Sequence, residues 1–141
     1  MKSVFYSKNI FRNIKYCIQR GRKGYCDADL WAIDRWFLDV MPPMLREFDK
    51  TRHSFPGSLQ NEYIEKSKGS LTYDDFLIKF SNETEKYCDE KWSDLLNIMA
   101  DDFEQLRKLY HRYDSKYDNE KEELKNEGLE MFCKWFFDLW D

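Results

Sequence analysis

Seven large apolar side chains, Trp92, Leu95, Leu96, Met99, Phe103, Leu106 and Tyr110, follow one another in steps of one, three and four. At 3.6 residues per turn that spacing collects them on one side of a helix about five turns long, whereas in a strand it would scatter them over both faces. The chain is thereby committed to a long amphipathic helix whose stripe other elements must cover. The remainder offers little material for sheets. Val4 and Val40 are the only valines, and five Gly and three Pro leave few hairpin turns. The expected fold is all-α: a single compact bundle of about four main helices in one domain, residues 1–141, a length close to the usual domain size.

Three further helical stretches surround the long one. Residues 4–20 form the first, with Ile10, Phe11, Ile14, Cys17 and Ile18 on one face and Lys8, Arg12, Lys15 and Arg22 recurring on the other. Gly21 and Gly24 are its stop signals. The second opens at Asp27 as N-cap and runs to about Lys50, with Leu30, Ile33, Phe37, Met41, Met44, Leu45 and Phe48 as its stripe. Pro42-Pro43 falls inside it and predicts a kink or break near Val40. Residues 51–72 are expected as a long loop ending at Gly69-Ser70, with room for a short helical turn around Gln60 to Lys66. The long helix then begins near Tyr73, with an interruption expected at Ser81-Asn82, and continues from Glu83 to about Tyr113. The last runs from about Asn119 to Leu139, with Leu124, Leu129, Phe132, Trp135, Phe136 and Leu139 inward.

Charge is distributed unevenly. Residues 1–26, the basic amphipathic N-terminal part, hold seven Lys and Arg and no carboxylate, while residues 27–141 hold 16 basic against 27 acidic side chains. A two-faced basic helix lies on an anionic membrane, wraps a phosphate backbone or caps the apolar side of a bundle, and capping is its commonest use. If it grips phosphate, Lys8, Arg12, Lys15, Arg22 and Lys23 are the residues to do so, for nucleic acid or a nucleotide. No window approaches the roughly 18–20 apolar residues of a membrane span, and polar residues interrupt the N-terminus too often for a signal peptide. A cytoplasmic protein is expected.

Catalytic signatures are missing. The sequence has no glycine-rich phosphate loop and no G-x-S-x-G, and neither His53 nor His111 sits where a nucleophile's base would. Cys17, Cys26, Cys88 and Cys133 lack the close ligand pair of a zinc knuckle, so free thiols are expected. Asp27-x-Asp29 lacks the glycine and the closing Glu of a calcium loop and is assigned to capping. Catalytic residues, metal ligands and cofactors are therefore all predicted as none. Asp34 and Asp102 are set among apolar helix neighbours and are expected as buried polar residues. Each would be a tie that fixes helix register or the floor of a pocket lined by Trp31, Trp36 and Trp92. A metal-dependent hydrolase built on these two carboxylates is the third functional alternative. Arg52-His53-x-Phe55-Pro56-Gly57 is loop recognition material, although Phe55 could equally plug the end of the bundle.

Several of these pieces together carry a resemblance. The run Gly24-Tyr25-x-Asp27-x-Asp29-x-Trp31-x-x-Asp34, then His53-Ser54-Phe55-Pro56, then Trp92-Ser93-Asp94-Leu95-Leu96-Asn97-Ile98-Met99, and the ending Phe132-Cys133-Lys134-Trp135-Phe136-Phe137-Asp138-Leu139-Trp140-Asp141 are similar to a pattern in small all-α proteins encoded by bacteriophages and prophages of gut bacteria. Cys26 stands where that group has Ser, and Ser54 where it has Gly. The resemblance covers most of the chain from Gly24 onward and implies a phage accessory protein acting in the host cytoplasm, with no activity or catalytic residues to carry over. The function expected is non-enzymatic binding and modulation of a host protein, with a defence component as one candidate, through an acidic and aromatic surface. Trp31, Trp36, Arg52, His53 and Phe55 are its contact residues, and the acidic long helix could imitate nucleic acid. An uncovered Trp-rich stripe could also pair two copies in a homodimer.

Overall fold

The computed structural model describes residues 9–67, 73–110, 112 and 114–139. Among these the chain is all-α, with no strand. The helices are α1 (Ile10–Lys23), α2 (Ile33–Thr51), α3 (Gly57–Ser67), α4 (Tyr73–Tyr110) and α5 (Asp118–Trp135), with short 3-10 turns at Asp29–Trp31, Ser115–Tyr117 and Phe136–Asp138. No described helix is long and apolar enough to cross a membrane. Lys8, Gly69-Ser70, His111 and Trp140 lie outside the described residues. Contacts divide the chain into two compact units, residues 1–40 and 41–141.

In the first unit, Asn9 caps α1, its side-chain oxygen accepting from the amides of Phe11 (3.0 Å) and Arg12 (3.4 Å). The helix passes through Gly21 and stops at Gly24, whose φ of 80° places it in the left-handed region and lets its amide reach the Arg20 carbonyl at 2.9 Å. Asp27 does not open the second helix. Its amide goes to Gln19 Oε1 (3.1 Å) and its carboxylate to Lys15 (2.9 Å), so the chain folds back on α1 and regular α-helix begins only at Ile33.

The second unit is built on α4, which runs unbroken through Ser81-Asn82. Its face of Cys88, Trp92, Leu96, Met99, Ala100 and Phe103 is fully buried, which bears out the apolar stripe for these turns. The stripe is covered by α5, where Trp135 packs on Trp92 (ring centroids 5.3 Å apart) and Phe132 meets Phe103 edge-on (5.8 Å). Phe103 and Gly128 bring these two helices close: a Cβ at Gly128 would stand 3.0 Å from Phe103 Cε1. Leu129, expected inward, is 39% exposed, because the contact is centred one residue earlier, on the glycine. A fifth helix, α3, occupies half of the stretch expected as loop. It buries Leu59 and stacks Tyr63 on Tyr87 of α4 (4.5 Å).

The Pro42-Pro43 pair lies within continuous helix and produces no break, although it removes the two donors that would have served the carbonyls of Leu38 and Asp39. The boundary between the two units falls at Val40 and Met41, directly before the pair.

Candidate functional site

The most distinctive surface is on the first unit, and it follows from how α1 is held. Asp29 is almost fully buried, at 3% exposure. It accepts from Arg20 Nε (3.0 Å), from Arg20 Nη2 (2.6 Å) and from the Cys26 amide (2.7 Å). Burial pushes its carboxyl up, yet the Arg20 guanidinium and the Cys26 amide outweigh that and hold it below the ordinary carboxylate value. The carboxylate expected as a cap is thus the clasp of the unit, joining the last turn of α1 to the turn at Asp29–Trp31. Cys26 is buried beside it, and Asn13 is the one buried residue of α1.

At about 100° per residue, Arg20 and Asn13 lie together on one flank of α1, about 100–120° round from the middle of its isoleucine row. The helix is therefore fastened through polar residues. Its apolar stripe, expected to cap a bundle, is exposed: Ile10 by 67%, Phe11 by 79%, Ile14 by 51% and Ile18 by 55%. Trp31 is 91% exposed, next to Leu30 (56%) and near Ile33 (62%). An open groove lined by Lys23, Gly24, Tyr25, Asp29, Leu30, Ile33 and Trp36 runs beside this turn. Monomeric proteins seldom leave so many large apolar side chains uncovered in a unit of this size, and such surfaces mark places of attachment.

The other candidates are dispersed. Trp36 is half-buried at the groove, whereas Trp92 is spent in the core of the second unit. Arg52 is largely enclosed, with only 5% of its side chain exposed. Its guanidinium is committed to Asp49 (3.1 Å), the Ser54 carbonyl (3.1 Å), and the carboxylate (2.6 Å) and carbonyl (3.1 Å) of Asp89. Asp49 in turn accepts from Ser93 Oγ (2.8 Å) and Asn97 Nδ2 (3.0 Å), so this network pins the end of α2 to α4. His53 is exposed and Phe55 half-buried. Asp34, expected to be buried among Leu30, Trp31, Phe37 and Leu38, is exposed on α2, because Leu30 and Trp31 are themselves uncovered.

Asp102 is half-buried on α4, and burial, followed by repulsion from Glu127 and Asp101, raises its carboxyl above the usual range. Among the phosphate candidates, Lys15 is paired with Asp27 while Arg12, Arg22 and Lys23 are exposed. No group of three or more His, Cys, Asp or Glu side chains converges as a metal site among the described residues.

Sequence reasoning found the apolar stripe of α1 but assigned it to the core, and it missed the clasp. The available signal was Asp29 lying nine positions after Arg20 with a glycine stop between them. Comparison with protein-family models, with curated proteins and with solved structures returns no match for this chain.

Proposed function

We propose that this chain is a non-enzymatic, phage-type accessory protein that binds and modulates a host protein through an aromatic surface on its first unit. The carrying observation is Trp31, an indole left 91% exposed beside Leu30 and Ile33 on a turn anchored by the buried Arg20–Asp29 clasp. Rigidly presented aromatic side chains are the usual energetic centres of protein interfaces, since they bury a large area at small conformational cost. Trp36 borders the adjoining groove; His53 and Phe55 belong to the second unit and would be contacts of their own, and Arg52 drops out because it is consumed internally. The phage setting rests on the motif resemblance, and a host defence component is the target it suggests. The acidic second unit, with 15 basic against 23 acidic residues, suits a partner that normally grips phosphate.

The test is parallel affinity purification of the tagged protein and its Trp31→Ser variant from gut-bacterial cells, followed by binding of the purified partners. The expected result is one stoichiometric host protein retained by the native chain and lost with the variant. Recovery of nucleic acid in its place would transfer the function to the basic residues of α1, and retention of the same protein by Trp31→Ser would remove the indole from the interface.

A further inference from the structure

The exposed stripe of α1 has its own chemistry, separate from the turn that carries Trp31. Ile10, Ile14 and Ile18 are spaced i, i+4, i+8, so they form a row that winds round the helix by about 40° per step, and Phe11 widens that row on one side. Every one of the four is more than half exposed. Lys15 and Arg22 fall along the border of the stripe, with Arg12 and Lys23 farther round. Arg20, the remaining cation of α1, is turned to Asp29, and α1 carries no carboxylate at all. An apolar row bordered by cations on one flank, on a helix fastened along the other, is a form that lies in the plane of a bilayer. There the apolar side sinks to the acyl boundary and the cations meet lipid phosphates.

We infer that α1 is an interfacial anchor that seats this protein on an anionic membrane surface. Charge separates this occupant from a second copy of the chain. Two α1 helices meeting through the stripe would bring their Lys15 and Arg22 rows together with no carboxylate on either helix to offset them. An anionic bilayer supplies the apolar phase and the opposite charge together. The pairing of Lys15 with Asp27 does not stand against this, since it is solvent-exposed, with side chains 61% and 49% accessible, and such pairs exchange readily for other ions. The inference does not depend on the protein partner proposed above, because it concerns the stripe of α1 and not Trp31.

The test is co-sedimentation of the full chain with vesicles of phosphatidylcholine alone and of phosphatidylcholine mixed with phosphatidylserine, at low and moderate salt. Binding to the anionic vesicles is expected, weaker on the neutral ones and reduced by salt. Ile14→Asp should lower partitioning about tenfold or more, since burial of one such side chain accounts for that factor. A thermal melt by circular dichroism should leave Ile14→Asp equal to the native chain, because the position is exposed. Arg22→Glu combined with Lys23→Glu should abolish the preference for anionic lipid. Failure of the native chain to sediment with anionic vesicles at low salt would overturn the inference. Undiminished binding by Ile14→Asp would do the same, as would a dimer that this substitution dissociates. Retained vesicle binding by Trp31→Ser separates the anchor from the protein-partner reading.

Discussion

Asp29→Asn is the substitution to which the first unit is most sensitive. The carboxylate sits at 3% side-chain exposure and Arg20 at 19%, so neither group recovers full hydration when the pair is broken. Removing one partner of a buried ion pair costs about 3–5 kcal/mol, and the partial access of Arg20 to water puts this case near 3 kcal/mol. An Asn side chain can still accept from the Cys26 amide, but it turns an NH2 toward the guanidinium, where a donor meets donors. Forty residues at typical per-residue stability hold only about 2–6 kcal/mol in total. The loss is comparable with everything the unit has, so the variant should open residues 1–40 and leave 41–141 folded.

Limited trypsin digestion reads this directly, because the opened segment carries Arg12, Lys15, Arg20, Arg22 and Lys23. Cleavage there should accelerate about a hundredfold, the equivalent of 3 kcal/mol. Asp27→Asn, which removes only an exposed pair, should leave the rate near native. Native-like cleavage of Asp29→Asn would refute the clasp. The pH dependence has the same origin: Asp29 is held below its unfolded value, so its contribution is complete above about pH 4 and is lost as pH falls through the depressed native value.

Three other outcomes are expected. Arg52→Met should lower the stability of the second unit by about 2–3 kcal/mol in urea denaturation, somewhat less than a fully buried pair because Asp89 can rehydrate, while partner capture persists; a change within about 0.5 kcal/mol would return Arg52 to the surface. Gly128→Ala gains about 1 kcal/mol of helix propensity but drives a methyl to 3.0 Å from the buried Phe103 ring, so a net loss of about 1 kcal/mol is expected, and a stabilised variant would show the ring free to move. Asp102→Asn should raise the urea midpoint at neutral pH. The native carboxyl, lifted by burial and by Glu127 and Asp101, binds its proton more tightly than the unfolded chain does, so stability falls as pH rises from about 4 through the raised value; an unchanged pH profile in the variant would contradict this.

How far the sequence carried the structure depends on which kind of force set each element. The stripe of α4 was legible because hydrophobic periodicity alone decides it, and Trp92, Leu96, Met99 and Phe103 are buried where spacing put them. Helix α3 was not, since Gly57–Ser67 is polar with little apolar periodicity and is held through Leu59 and Tyr63 against α4. In α5, Phe132 and Trp135 are buried where spacing put them, but Leu129 and Phe136, also expected inward, are exposed, and a glycine invisible to an apolar count, Gly128, sets the closest approach. Arg52 looked like an exposed loop residue, yet its partner Asp89 lies 37 positions away, a separation no local pattern reports. The candidate surface was legible in composition but not in direction: spacing grouped Ile10, Ile14 and Ile18, and only the clasp between Arg20 and Asp29 shows which side of α1 faces out.

That orientation is open to one direct measurement. Cys17 lies at the edge of the α1 stripe and is exposed, as is Cys133, whereas Cys26 and Cys88 are buried. In a Cys133→Ser variant, reaction of the folded protein with a thiol reagent at low protein concentration should therefore modify one thiol promptly. The other two should react only on denaturation. Slow modification of Cys17 in the folded protein would mean that the stripe is covered, and would contradict the account that α1 is fastened by its polar side and works through its apolar one.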